Sequence, residues 1–242
     1  MKALILAAGI GSRLAPLTND RPKTLVEVNG KPILFQQIDN LHENGIFDIT
    51  IVAGYKAGVL KEAVESKYNG INIIYNMNYL STNNMYSAYL AKDYFYGQEF
   101  LMMNADVFYD SSVLETLLQD GFNNSIVTDI GTYNEESMKV IEDNGRLVRI
   151  SKQITEENAL GSSIDIYRFS EAGGKAFFDK CTDYIKSKKE VTLWSEIALN
   201  DALADVEFKA CPLVGKWFEI DNINDLEEAE RIFKNGKRFI KK

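Results

Sequence analysis

Residues 1–34, MKALILAAGIGSRLAPLTNDRPKTLVEVNGKPIL, decide how this chain folds. The unbroken apolar run at 3–8 reads as a strand buried on both faces of a parallel sheet. It feeds directly into Gly9-Ile10-Gly11, followed by Ser12 and Arg13, and Pro22-Lys23 then delivers a second cation. Glycines let backbone N–H groups approach phosphate oxygens with no Cβ in the way, and cations offset phosphate charge. A buried strand, a glycine turn and two nearby cations are what a nucleoside triphosphate site requires. Two look-alike loops fail on inspection. The dinucleotide fingerprint G-x-G-x-x-G has Leu14 at its sixth position, so the glycine for close helix–strand packing is missing. No G-K-[ST] element of a P-loop follows the first glycine.

Outward from this stretch, Asn29-Gly30 is a turn, and Pro32 suits the first turn of a helix carrying Ile33, Leu34, Ile38 and Leu41, stopped by Gly45. Residues 49–53 form a second buried strand, 58–68 a helix, 71–75 a third strand and 84–95 another helix. The strand at 100–103 ends in Asn104-Ala105-Asp106. This β-α-β-α-β alternation implies right-handed crossovers and a ligand crevice at the carboxyl ends of the strands. The second half changes character. A hairpin is expected at 137–142 and 146–150 around Asn144-Gly145. A strand at 162–169, helices at 171–188 and 193–203, short strands at 206–210 and 216–220, and an amphipathic helix at 223–233 follow. There is no repeat, low-complexity tract or linker. The expected architecture is α/β: a Rossmann-like, doubly wound, mostly parallel central sheet with a small β-hairpin lobe, as one domain over 1–242.

The chain has 242 residues, 45% hydrophobic and 26% charged, enough for one substantial core. A net charge of −8 provides no general field for polynucleotides, so no nucleic-acid partner is expected. The lysines at 186, 188 and 189 and those from 234 to 242 read as solvated helix ends. Cys181 and Cys211 lie in no C-x-x-C motif and read as free thiols of a reducing compartment. The single histidine, His42, sits near a helix end, which argues against histidine triads and His-rich zinc sites. No apolar run approaches the roughly 18 residues of a membrane span, and the N-terminus lacks a cleavage region. The expected location is cytoplasmic, with no membrane partner.

The pattern L-A-A-G-x-G-S-R-L-x-P-L-T-x-x-x-P-K, residues 6–23, resembles the signature of the nucleotidyltransferases that make sugar and small-alcohol nucleotides. The resemblance implies a nucleotide-diphospho-sugar transferase-like fold, with residues 1–110 mainly binding nucleotide and 111–242 mainly binding an acceptor. It further implies attack by an acceptor phosphate oxygen on the α-phosphorus of a nucleoside triphosphate, with pyrophosphate leaving. Positioning and charge neutralisation dominate such a reaction. Gly9, Gly11, Ser12 and Arg13 would then hold the β- and γ-phosphates, and Lys23 would lie across the α-phosphate. Magnesium needs hard oxygen ligands. Asp106, at a strand end, and Asp221, in Trp217-Phe218-Glu219-Ile220-Asp221, occupy places where family members carry metal-binding aspartates. Asp221 also has the alternative of capping the last helix. Glu219 and Asp110 are weaker candidates.

Base recognition is expected from Ala7, Ala8, Ala53, Gly54 and Tyr55, and from Asn84 or Ser87, although Thr82 and Asn83 also suit a helix cap. The segment Asn83-Asn84-Met85-Tyr86-Ser87-Ala88-Tyr89-Leu90 stands where hexose-1-phosphate enzymes typically have a G-T-A-type loop. It resembles the CTP-using branch, which includes phosphocholine and phosphoglutamine cytidylyltransferases. The implied reaction joins CTP, with Mg²⁺, to a small phosphorylated metabolite. Lys152 follows Ser151 where sugar enzymes carry an E-K pair, and either binds the acceptor phosphate or ends a hairpin in solvent. Tyr86, Tyr133, Glu136, Asp165, Trp194 and Glu196 are candidates to line the acceptor's head group, and rings with acids suit a cationic or zwitterionic one. Trp194 has core packing as its alternative. The competing functional readings are a sugar-1-phosphate nucleotidyltransferase and a non-catalytic nucleotide-binding module on the same fold.

Overall fold

In the computed structural model, which describes residues 1–234, the first half comprises β1 (Lys2–Ala7), β2 (Glu27–Val28), β3 (Lys31–Pro32), α1 (Ile33–Glu43), β4 (Asp48–Ala53), α2 (Ala57–Glu65), β5 (Asn72–Tyr75), α3 (Asn84–Leu90), α4 (Lys92–Phe95), β6 (Phe100–Asn104) and β7 (Val107–Tyr109). The second half comprises α5 (Ser112–Gln119), β8 (Ser125–Ile130), β9 (Lys139–Asp143), β10 (Arg146–Ser151), β11 (Gly161–Phe169), α6 (Glu171–Thr182), α7 (Ser195–Ala202), β12 (Lys209–Pro212), β13 (Trp217–Glu219) and α8 (Ile223–Phe233). The lysines at 235–242, expected to end a helix in solvent, lie outside the described residues.

β1 pairs in parallel with β4 on one side and β6 on the other. Its alternate residues therefore enter two cores. Ala3, Ile5 and Ala7 pack with Leu34, Ile38 and Leu41 of α1 and with Leu60 and Val64 of α2. Leu4 and Leu6 pack with Met85 and Ala88 of α3 and with Phe177 and Phe178 of α6. Burial on both faces is why the sequence shows a continuous apolar run instead of an alternation. β5 extends the parallel set beyond β4, and helices cover both sides, so the doubly wound α/β expectation holds. Beyond β6 the sheet turns antiparallel: β11 pairs with β6, and β8 and β9 both pair with β11. The hairpin β9–β10 forms around Asn144-Gly145, both left-handed at φ 51° and 75°.

Two smaller ribbons complete the crevice. β13 pairs antiparallel with β7, bringing Glu219 opposite Val107. A backbone bond from Ile220 N to Asp106 O (2.9 Å) ties the next residues beside the end of β6. The hairpin β2–β3 is packed by α8 through a third cluster that includes Leu14, Val28, Ile33, Ile220 and Ala229.

Several expected elements are adjusted. Pro32 is extended (φ −56°, ψ 141°) and precedes α1 without entering it. The helix expected at 84–95 is broken at Ala91 into α3 and α4. The helix expected at 171–188 ends at Thr182 and widens into a π-helical turn, Asp183–Ser187, tied by Lys188 to Asp183 at 2.9 Å. The strand expected at 206–210 begins only at Lys209, because Val206 N bonds Ala202 O (3.0 Å) and closes the end of α7. The helix expected from 193 starts at Ser195, leaving Trp194 extended before it. α5 and β8 are additions, although Val113, Leu114 and Leu117 carry helical spacing. Both cysteines are buried and unpaired, and His42 stacks on Phe47 at 5.0 Å in the last turn of α1. Among the described residues no helix is long and apolar enough to cross a membrane.

Gly54, just past β4, locks the crevice floor. A Cβ there would lie 2.6 Å from Ala8 O and 2.7 Å from Tyr79 Cβ. Gly54→Ala should therefore destabilise the fold by about 1–3 kcal/mol, the range for overpacking a tight site, read as a lowered urea midpoint at unchanged slope.

Candidate active site

Three carboxyl ends meet at one point. β1 delivers the loop from Ala8 onward, β6 delivers Asp106, and β13 delivers Glu219 and Asp221. Gly11 is left-handed (φ 68°), and a Cβ on it would lie 2.5 Å from Lys23 Cβ. Glycine is thus required both by conformation and by the passage of Lys23. Lys23 opens a short 3-10 turn, Lys23–Leu25, after the extended Pro22, so its side chain points back under the loop.

Lys23 Nζ lies 2.6 Å from Asp221 Oδ1 and 3.0 Å from Asp106 Oδ2. Arg13 holds the other oxygen of Asp221 at 2.8 Å while staying largely exposed. Burial opposes charge on Lys23, but the two carboxylates more than compensate and raise its pKa. Burial likewise opposes charge on Asp221, and Lys23 and Arg13 outweigh it, holding that carboxyl below its usual range. At Glu219 the pull of Lys23 is outweighed. Burial, then the charges of Asp106, Asp165 and Asp221, push it up to about 9. Oxygens of Asp106, Glu219 and Asp221 lie within 4.8 Å of one another. Asp106 Oδ1 is buried without a hydrogen-bond partner among the described residues. Three carboxylates with an unsatisfied oxygen form a hard-oxygen donor set that fits a magnesium ion. Asp221 does not cap the last helix. Asn222 accepts from Asn224 N and Asp225 N, and Asp225 Oδ2 reaches back to the N–H of Asn222, forming a capping box.

A cavity of about 270 Å³ opens above this cluster. Of the residues singled out in the sequence, Ala8, Gly9, Arg13, Asn84, Ser87, Asp106, Lys152 and Asp221 line it, with Glu136, Asp165, Trp194, Glu196 and Glu219. Ala7, Gly9, Lys23 and Asp106 line a small adjoining recess. Asn83 caps α3, accepting from Asn84 N at 2.8 Å, and still borders the cavity. Ser87 Oγ accepts from Asn76 Nδ2 at 3.1 Å.

Other candidates stand back from the cavity. Gly11 makes room for Lys23, and Ser12 is exposed in the following turn. Ala53 is fully buried, and Gly54 packs under Ala8. Tyr55 turns its hydroxyl to Thr18 O at 2.9 Å, bracing the loop. Asp110 Oδ2 accepts from Lys216 N (3.0 Å), which is a strand-end tie. The Tyr133 ring lies under Lys139, and the Tyr86 hydroxyl accepts from Asn78 Nδ2. Trp194 is not core: it is 43% exposed, and Lys152 Nζ sits over its ring at 4.9 Å.

The sequence reading misses Asn76, Asn104 and Ser137 as site residues. Asn76 follows β5 and bonds both Thr82 Oγ1 (3.0 Å) and Ser87 Oγ (3.1 Å), holding that wall. Asn104 closes β6 and donates to Asp165 Oδ2 at 2.9 Å while standing 3.4 Å from Asn84 Nδ2. Asparagine at the carboxyl end of a parallel strand, where the crevice must lie, is the available signal for both. Ser137 sits in a polar loop with no local mark.

Comparison with known proteins agrees with this geometry. The nucleotidyl transferase family profile matches residues 2–139. The choline-phosphate cytidylyltransferase of Streptococcus pneumoniae is 31% identical over 97% of this chain and 99% of its own length. The CTP:phosphoglutamine cytidylyltransferase of Campylobacter jejuni is 29% identical, covering 94% of this chain and 98% of that protein. A solved CTP:phosphocholine cytidylyltransferase from Streptococcus pneumoniae superposes with a TM-score of 0.79 at 26% identity, over 96% of this chain and 98% of that one. With the loop, the paired cations and the carboxylate trio already assembled at the strand ends, a match reaching from β1 into β9 makes this chain a nucleotidyltransferase, a member of the nucleotidyl transferase family.

Proposed function

We propose that this chain transfers the cytidylyl group of CTP to the phosphate of a small phosphorylated alcohol or amide, releasing pyrophosphate. The observation that carries the reading is Lys23 seated between Asp106 and Asp221 beneath an open glycine loop. The choice of CTP rests on relatives named for phosphocholine, phosphoglutamine and 2-aminoethylphosphonate cytidylyl transfer. The asparagine- and serine-lined wall at Asn76, Asn84 and Ser87 supports it by offering donors and acceptors to a pyrimidine edge. In this reading residues 1–110 mainly serve the nucleotide and 111–242 mainly serve the acceptor, as lobes of one domain.

The residues divide the work by charge. Gly9 has open space where a Cβ would stand, so its N–H can face phosphate oxygens. Arg13, exposed and reaching from the loop, turns from Asp221 to the β- and γ-phosphates. An acceptor phosphate oxygen bonds to the α-phosphorus. The bond from that phosphorus to the bridging oxygen breaks, and its electron pair leaves on pyrophosphate. The acceptor oxygen is already deprotonated, so no base is required, which fits a crevice without histidine. Lys23 donates its N–H groups to α-phosphate oxygens as charge builds there. Asp106 and Asp221, with Glu219 beside them, would hold Mg²⁺, which when bound supplies divalent charge next to the phosphates. Lys152 would orient the acceptor phosphate.

Pyrophosphate release should appear with CTP, Mg²⁺ and a small alcohol or amide phosphate, and be much weaker with UTP, GTP, dTTP or ATP. Efficient turnover of a hexose 1-phosphate with UTP or dTTP would replace this reading with the sugar-nucleotide one. Asp106→Ala should lower kcat by about 10²–10³-fold, the scale for losing transition-state charge stabilisation, with an unaltered circular-dichroism spectrum. Retained turnover in that variant would remove Asp106 from the site.

Lys23→Met leaves the carboxylates facing one another without their buried counter-charge. The metal-free variant should lose about 3 kcal/mol of stability in urea unfolding, and Mg²⁺ should restore part of that loss. Equal stability of variant and parent without Mg²⁺ would show that the lysine does not neutralise the trio.

A further inference from the structure

The acceptor end of the cavity holds two carboxyl side chains, Asp165 and Glu196, and neither forms an ion pair among the described residues. Asp165 sits inside β11 in the left-handed region (φ 58°), where the pairing of β11 with β8 shifts register between Ser163 and Tyr167. A non-glycine residue is seldom held there, and the irregularity turns its carboxylate into the cavity. Asp165 Oδ1 lies 2.9 Å from the Tyr167 hydroxyl, and Glu196 Oε1 lies 3.0 Å from the same hydroxyl. A phenol carries one hydrogen, so Tyr167 serves only one of the two carboxyl groups at a time, while Asn104 Nδ2 donates to the other oxygen of Asp165 and Glu196 is also favoured in its charged form by Ser195 and Asn84. The buried Ser137 Oγ lines the same cavity and has no hydrogen-bond partner among the described residues. These groups call for a ligand that brings N–H donors and positive charge.

One face of the aromatic ring nearby already carries a cation. Lys152 Nζ lies over the Trp194 indole at 4.9 Å. A quaternary ammonium binds best on an open aromatic face. Here it would meet a resident cation on that face and would offer no N–H to Asp165, Glu196 or Ser137. The same lysine suits an anionic group, so the cavity wall presents a cation and a carboxylate pair side by side.

We propose that the acceptor of this chain carries an ammonium group with N–H donors, selected over quaternary and neutral head groups by Asp165 and Glu196. The inference rests on the cytidylyl-transfer reading and narrows its acceptor to one chemical class. Tyr167 and Asn104 act as positioning residues, fixing the carboxylates through the bonds described above.

The test measures pyrophosphate release with CTP and Mg²⁺ for three acceptors of similar length: phosphoethanolamine, phosphocholine and the monophosphate of ethylene glycol. Phosphoethanolamine should exceed both others in kcat/KM by at least about tenfold, as expected where a site built for N–H donors meets analogues lacking them. In Asp165→Asn this preference should fall to near parity, mostly through KM. Asparagine tolerates the left-handed backbone, so the melting temperature should stay close to that of the parent. Glu196→Gln is the second variant and should shrink the same ratio. Phosphocholine turning over as well as phosphoethanolamine, or a preference that survives in both variants, overturns the proposal while cytidylyl transfer stands. Release with UTP or dTTP and a hexose 1-phosphate, and none with CTP and any of the three, overturns the underlying reading instead.

Discussion

The contact on which the crevice depends is the seating of one lysine between two aspartates. Asp106, Glu219 and Asp221 converge within 4.8 Å, an arrangement that like-charge repulsion and desolvation would otherwise drive apart. Lys23 reaches them only because Gly11 has no Cβ and because Pro22 sets the direction of the turn that follows. Asp221 reaches the lysine only because β13 is paired with β7 and α8 begins with its own capping box at Asn222 and Asp225. The glycine loop, the ribbon and the last helix each place one member of this ionic cluster. Arg13 completes it from the solvent side. In the cytidylyl-transfer reading proposed above, the same cations would serve phosphates, and the two aspartates are their counter-ions in the free protein.

The sheet supplies the rigidity this arrangement needs. β1 is sandwiched between parallel neighbours, and its side chains are anchored in a separate core on each face. Loops leaving its carboxyl end are therefore fixed at their roots. This part of the molecule is also the most legible in the sequence. A strand buried on both faces must be apolar throughout, and a phosphate-facing turn must use glycine. Both demands leave marks at residues 3–11 that require no tertiary knowledge. Asp106 is readable for the same reason, as a carboxylate standing where an apolar strand stops.

The acceptor side is less legible because its determinants are tertiary. Asp165 is one of six head-group candidates in the sequence, and the register shift against β8 is what distinguishes it from Tyr86 and Tyr133, which stand back from the cavity. Trp194 fits a core pattern by composition, yet the true start of α7 leaves it extended and exposed beneath Lys152. Ser137 lies in a polar loop indistinguishable from solvent-facing turns. Conversely, Ala53, Gly54 and Tyr55 follow a strand as site residues should, but the β4 end packs beneath the Ala8 backbone and Tyr55 braces the loop from outside. Position at a strand end marks a neighbourhood, and the packing around each side chain decides whether it faces the ligand.

The bond between Lys23 and Asp221 spans 198 positions of sequence. A chain emerging from the ribosome displays the glycine loop and its lysine early, but the partner carboxylate arrives only after β1 to β12 have had the chance to form. During that interval the growing chain carries the glycine loop, Lys23 and Asp106 but lacks Asp221, and the ionic cluster closes only as its last ribbon docks. The ionic cluster is in this way completed only once nearly the whole chain has been made.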